Sequence, residues 1–376
     1  MIASRLGRSI LIAVLLLLGT EVAARMSDSP EEPAGSAGNS PAATLPAEAF
    51  ALHRLLGYAN NPGWTSGINR HNDLGFRGDE ITSDKGAQTF RIVCLGGSTV
   101  YSAAVEDFHQ AYPYLLETTL AEAGYTSIEV TNGGVPGYRS LETLIDFQFR
   151  VLDIHPDLVI VSLGLSDIAP RLVWPPSAYQ SDQAGFVLAP TQARRPLWTY
   201  SALLSRGVEV FGGATPWDGD QPIWSPSPDT AYANQFEAQW AAGSYPEGFF
   251  EEISAAEMLA ANPPIYFERN LRNLVTTARI HGVGIVFVPD IVSADFPADP
   301  YSTAPEYQSA LAEHWQVMHL IARELAVPLF DFSDPAYFNS ADFADGGDFT
   351  FAGNQQRAGL VAEALMSTGL LPAGTN

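Results

Sequence analysis

The sequence predicts an α/β fold, a parallel sheet covered by helices on both faces, with an insertion between the third and fourth strands. Three observations carry this expectation. Short runs rich in Val, Ile, Leu and Phe alternate with segments of helical length and pattern from residue 91 to residue 367. The first run, Val93-Cys94-Leu95, stops at Gly96-Gly97-Ser98, the strand-to-turn break found at the C-terminal edge of open α/β sheets. About a hundred residues between Asp167 and Tyr266 then interrupt the rhythm, too many for a structureless loop in a compact domain.

In chain order, Arg5 and Arg8 precede the apolar run Ile10 to Leu18, and Val22-Ala23-Ala24 supplies the small residues that a signal peptidase prefers. The run is short beside the roughly 20 residues of a membrane span. Residues 1–25 therefore read as a cleaved signal peptide or a retained N-terminal membrane anchor, and either carries the rest out of the cytoplasm. Residues 26–47, rich in Pro, Ser, Gly, Ala and Glu, read as a disordered linker. The folded domain is expected over 48–368, with strands at 91–95, 127–131, 157–163, 283–288 and 327–332. Helices are expected at 110–123, 140–153, 266–281, 306–325 and 354–367, and a tail at 369–376. The insertion, about 170–262, reads as a cap with short helices at 199–210 and 251–261. It holds Trp174, Trp198, Trp217, Trp224 and Trp240, aromatics that fit a small core of its own, a sugar-stacking surface or an acyl pocket.

Composition narrows the function. The chain has 376 residues, 46% of them apolar, enough for a substantial core. Its 42 acidic residues against 19 Lys and Arg give a net charge of -23, which repels phosphate backbones and argues against a nucleic-acid partner. The single cysteine, Cys94, rules out an intrachain disulfide or a multi-cysteine zinc site and reads as a small buried hydrophobe.

The chemistry gathers at the strand ends. Ser98 follows the first strand, where it is a nucleophile or a helix cap. Asn132-Gly133-Gly134-Val135-Pro136-Gly137-Tyr138 follows the second, with backbone N–H groups suited to an oxyanion. Gly164-Leu165-Ser166-Asp167 follows the third, and the acidic stretch Asp342 to Asn354 leads into the last helix.

These blocks, with Asn72 to Gly78 (Asn-x-x-Gly-Phe-Arg-Gly) and the strand Pro156 to Val161, resemble the SGNH or GDSL-type serine hydrolases, most closely bacterial members with a Gly-Gly-Ser-Thr nucleophile block. The likeness covers most of residues 68–368 apart from the cap. It implies a three-layer flavodoxin-like fold, with Ser98 as nucleophile and N–H oxyanion donor, Gly134 as second donor and Asp345 as the acidic member. Two positions depart from the pattern: Ser166 stands where the family has an oxyanion asparagine, and Asp348 where it has the histidine. A free carboxylate, with a pKa of about 3.9, is a much weaker base than imidazole.

Three compensations are open. A histidine could come from elsewhere, His71 or His109 being best placed along the chain. Asp345 and Asp348 could share a proton, since close carboxylates raise one pKa. Asp342, Asp345 and Asp348 could hold a metal, but their spacing fits no metal loop, so no metal or other cofactor is expected. The resemblance thus implies an extracytoplasmic serine ester hydrolase acting on a small-molecule or glycan ester, an O-deacylase among the options, with weakened turnover. The alternative is a catalytically lapsed domain that binds a glycan or protein partner through the same cleft. Membrane contact is expected only through an N-terminal anchor.

Overall fold

The computed structural model describes residues 45–186, 201, 204 and 230–372. Residues 40–189 with 225–376 form the larger of two compact units. The expected signal or anchor segment and nearly all of the linker lie outside the described residues, as does the helix expected at 199–210 apart from Ser201 and Leu204. Among the described residues no helix is long and apolar enough to cross a membrane.

Four parallel strands form the sheet: β1 (Phe90–Gly96), β2 (Ile128–Gly134), β3 (Leu158–Ser162) and β4 (Gly284–Phe287), in spatial order β2-β1-β3-β4. A parallel bridge from Phe287 to Leu329 continues the sheet beyond β4. The order is therefore 2-1-3-4-5, that of flavodoxin-like folds. The strand expected at 327–332 is reduced to this bridge. Pro328 has no N–H to give a ladder, and the segment keeps only Phe287 N–H to Pro328 O and Phe330 N–H to Phe287 O, both 2.9 Å.

The α-helices longer than one turn among the described residues are α1 (Tyr112–Glu122), α2 (Ser140–Phe149), α3 (Ala233–Ala241), α4 (Ala255–Ala261), α5 (Ile265–Ile280), α6 (Pro305–Leu325) and α7 (Phe351–Thr368). Strand residues alternate between faces, so Val93 and Leu95 pack with α2, α5 and α6, whereas Ile92 and Cys94 pack with α1 and α7. Leu116 and Leu120 of α1 and Val361 and Leu365 of α7 are fully buried there. Each such side chain contributes about 1.5–3 kcal/mol by leaving water. Three layers result, and the C-terminal ends of the strands share one edge.

In the insertion, α3 and α4 enclose a third apolar core. It joins Leu165, Ile168 and Leu172 to Phe236, Met258 and the Tyr307 face of α6. Ser254 caps α4 through a reciprocal box with Glu257. Trp174 and Trp240 pack against this core, and Trp240 Nε1 donates to Thr303 Oγ1 at 3.2 Å. Trp198, Trp217 and Trp224 lie outside the described residues.

Candidate active site

Ser98 opens a single helical turn, Ser98–Tyr101, directly after β1. Two glycines allow it. A Cβ on Gly96 would lie 2.3 Å from Ser162 O, and one on Gly134 would lie 2.2 Å from Tyr101 N, so β2 and β3 close on the turn only where no side chain intervenes. Gly97 N-terminal to the turn is flanked in the same way: its Cβ position is 3.3 Å from Tyr138 O and 3.5 Å from Ser166 Oγ. The turns after β2 and β3 thus bracket the serine. No acceptor for the Ser98 N–H is present among the described residues.

The acidic block before α7 supplies the facing carboxyls. Asp345 Oδ1 accepts the N–H groups of Gly347 at 2.9 Å and Asp348 at 2.7 Å, which folds the loop back on itself. Asp299 Oδ2 holds Gly346 N–H at 2.9 Å, and Thr350 caps α7 through Gly353 N–H. Asp348 is consequently buried, at 7% exposure. Its carboxyl is pushed up to about 7, first by burial and next by the charge of Asp345, while the hydrogen-bonding Ser98 hydroxyl and the Arg357 charge oppose the rise. Asp348 Oδ1 has no hydrogen bond of full geometry. The Ser98 contact is thus a loose approach, as base–nucleophile contacts often are before substrate binds.

Two residues that the sequence reading passed over complete this cluster. Asp290 follows β4, the one strand end not inspected for chemistry. Its Oδ1 accepts from Thr99 Oγ1 at 3.0 Å and its Oδ2 from Leu165 N–H at 3.3 Å. Arg357, buried in α7, donates to Thr99 O at 3.0 Å and Ser162 Oγ at 2.8 Å. A strand-end aspartate was a legible signal. An arginine within a predicted helix was not, because its inward direction depends on how α7 docks.

Neither histidine offered as a substitute base is brought to Ser98. His71 spends both ring nitrogens elsewhere, Nδ1 on Asn61 O at 3.2 Å and Nε2 on Tyr101 Oη at 2.8 Å, and burial pushes its pKa down to about 4. Chain order put it near the turn, but on Tyr101 rather than Ser98. His109 binds Asp107 Oδ1 at 2.8 Å. Gly134 also differs from expectation: its N–H donates to Asn132 Oδ1 at 3.0 Å, so it is already engaged. In the turn that follows, Gly137 N–H has no acceptor among the described residues. Asp342 Oδ2 accepts from the Asn339 backbone at 2.8 Å and side chain at 2.7 Å, capping the turn before the loop. Among the described residues no group of three His, Cys, Asp or Glu side chains is arranged to hold a metal ion.

The Asn-x-x-Gly-Phe-Arg-Gly segment braces the site from behind. Buried Arg77 donates to Ser102 O at 2.9 Å and Val105 O at 2.6 Å, and its own N–H bonds Asn132 O at 3.1 Å. Arg77 thereby ties the end of β2, through its backbone N–H, to the chain leaving the serine turn, through its guanidinium.

Comparison with known proteins identifies the family. Residues 94–355 match the GDSL-like lipase/acylhydrolase family, and the chain belongs to it. Among solved structures it is similar to a lipase/acylhydrolase from Enterococcus faecalis, with 15% identity, a TM-score of 0.42, and coverage of 74% of this chain and 96% of that one. A GDSL-like lipase from Bacteroides thetaiotaomicron gives 11% identity, a TM-score of 0.40, and coverage of 76% and 92%. An acetyl xylan esterase gives 13%, 0.41, and coverage of 74% and 100%. No curated protein matches the chain.

Proposed function

We propose that the chain is an ester hydrolase in which Ser98 is the nucleophile and the Asp348 carboxylate, paired with Asp345, is the base that a histidine supplies elsewhere. The observation that carries this reading is the buried Asp348 carboxyl on the Ser98 side of the loop, which burial and the charge of Asp345 push up to about 7. A general base works best with a pKa near the operating pH, where it takes a proton and can return it.

In the first step Ser98 Oγ forms a bond to the ester carbonyl carbon while its proton passes to Asp348. We assign the charge that develops on the carbonyl oxygen to the Ser98 N–H, with Gly137 N–H, which has no acceptor among the described residues, and Ser166 Oγ on the adjoining turns as further donors. Collapse breaks the bond to the leaving oxygen, which takes the proton from Asp348. Water then attacks the acyl-Ser98 carbon and gives a proton to Asp348; the bond from that carbon to Ser98 Oγ breaks, Oγ takes the proton from Asp348, and the acid leaves. Asp345 acts through Asp348, by charge and by orienting its backbone.

We also infer an extracytoplasmic location from Arg5, Arg8 and the Ile10 to Leu18 run, with membrane contact confined to that segment. The substrate is a small-molecule or glycan ester, with Trp174 and Trp240 partly buried against the insertion's core. A lapsed domain binding a glycan or protein through the cleft remains the second reading, favoured by Ser166 at the asparagine position. A fluorophosphonate probe separates the two. Attack by an activated Ser98 displaces fluoride and leaves a phosphonyl group on the Ser98 peptide, found by mass spectrometry. No adduct between pH 6 and 9 would favour the lapsed domain.

A further inference from the structure

We propose that Asp290 is a positioning residue that holds the Ser98 turn in register with the Leu165-Ser166 backbone and keeps a carboxyl in the cluster that Asp348 and Arg357 share. The inference rests on the hydrolase reading above and deepens it.

The geometry is that of a brace. One carboxyl oxygen takes Thr99 Oγ1, next in sequence to the nucleophile, and the other takes Leu165 N–H, next to the Ser166 position. Its own backbone is pinned as well, since Trp315 Nε1 of α6 donates to Asp290 O at 2.8 Å. The turn after β1, the loop after β3 and the segment after β4 therefore meet on one buried side chain, 6% exposed. A neutral acceptor could make the same hydrogen bonds. A charged one does something further, because it sits among the groups that face Asp348.

Those groups can be named from each packed element. Asp345 lies on the same loop, Ser98 on the turn after β1, Asp290 after β4 and Arg357 on α7. Asp290 itself faces Arg357, whose charge opposes the rise that burial imposes on the Asp290 carboxyl. Arg357 is also boxed between aromatic faces, 4.5 Å over Tyr112 and 5.4 Å over Phe349, so it is fixed rather than free to follow Asp348. The negative charge on Asp290 raises the Asp348 carboxyl, and the positive charge on Arg357 lowers it. Asp290 thus offsets the smaller, opposing effect of Arg357 and adds to the rise that burial and Asp345 impose on Asp348.

The test is a ¹³C NMR titration of full-length protein labelled at aspartate Cγ, with the Asp348 resonance assigned by its loss in Asp348→Asn. Asp290→Asn is nearly isosteric and keeps both hydrogen bonds once the Thr99 hydroxyl turns to accept. The expected result is a titration midpoint for Asp348 near 7 in the wild type and a shift to lower pH in Asp290→Asn. An unmoved midpoint in a folded variant overturns the proposal. Thr99→Val tests the brace separately: it removes one bond, leaves the charge, and should slow phosphonylation of Ser98 with the Asp348 midpoint unchanged. A wild-type labelling rate in Thr99→Val also overturns it, and this variant decides the matter if Asp290→Asn does not fold. If Ser98 takes no label in the wild type while the midpoint still moves, it is the hydrolase reading that fails.

Discussion

Ser98→Ala and Asp348→Asn are each expected to lower kcat/KM for p-nitrophenyl acetate by about 10⁴-fold or more, yet to move stability differently. Loss of Ser98 Oγ removes the atom that forms the acyl bond. Loss of the Asp348 carboxylate leaves that atom without a proton acceptor, because His71 is spent on Asn61 and Tyr101 and His109 on Asp107. For stability the sign follows from the proton. The Asp348 carboxyl rises from the 3.8 of a free aspartate to about 7, so the folded state binds its proton more tightly than the unfolded state does. This favours folding below about pH 4 and is lost as pH rises through 7, where ionisation of the buried group costs on the order of 4 kcal/mol. Asparagine removes that cost. Above pH 7, Asp348→Asn should therefore unfold at higher urea concentration than the wild type, with no gain near pH 4. Such a trade of stability for activity is common at functional sites. Ser98→Ala should show no such pH-dependent gain.

Arg171→Met is expected to cost about 3–5 kcal/mol of folding free energy. Arg171 is 1% exposed and joins the insertion to the sheet domain. Its Nε donates to Asn262 O at 2.7 Å and its Nη2 to Leu259 O at 3.0 Å, at the C-terminal end of α4. The same guanidinium pairs with Glu313 of α6 and contacts His314 Nε2 at 3.3 Å, while His314 Nδ1 donates to Gly164 O at 2.6 Å. Asn262 Nδ2 returns bonds to Arg171 O at 2.8 Å and Val173 O at 2.9 Å. Methionine fills much of the volume but leaves two buried carbonyls and an imidazole nitrogen without donors, each costing about 1–3 kcal/mol. The contrast is Arg272, which is 33% exposed and pairs with Glu268 and Glu324; Arg272→Met should cost less than about 1 kcal/mol. Urea denaturation of both variants at pH 7 checks the difference.

The strands and helices were legible because burial on both faces of a parallel sheet demands continuous apolar runs, and helices on top demand a 3.6-residue period. β1 to β4 and α1, α2, α5, α6 and α7 all lie within a few residues of where these patterns put them. The fifth strand misled because the run Val327 to Phe332 is apolar but contains Pro328, and a backbone without an N–H pairs at one point only. At the site, the turn at Ser98 was legible because Gly96 and Gly97 mark a close approach that no other residue permits. Much less could be read of the electrostatics. That Asp348 holds its proton to near neutrality follows from burial and from Asp345, Asp290 and Arg357 converging on it, and only the Asp345 contribution is local in sequence. Similarly, Gly134 sits in the right block, but Asn132 occupies its N–H, a side-chain orientation that no spacing encodes.

The pH dependence of kcat/KM tests the central claim most directly, that a carboxyl near neutrality activates Ser98. For the wild type, activity should climb with pH through a single ionisation near 7, because the ionised Asp348 is the proton acceptor. The limb should vanish together with the activity in Asp348→Asn. Turnover that depends on Ser98 but keeps the same limb in Asp348→Asn would show that another group is the base and would contradict the account.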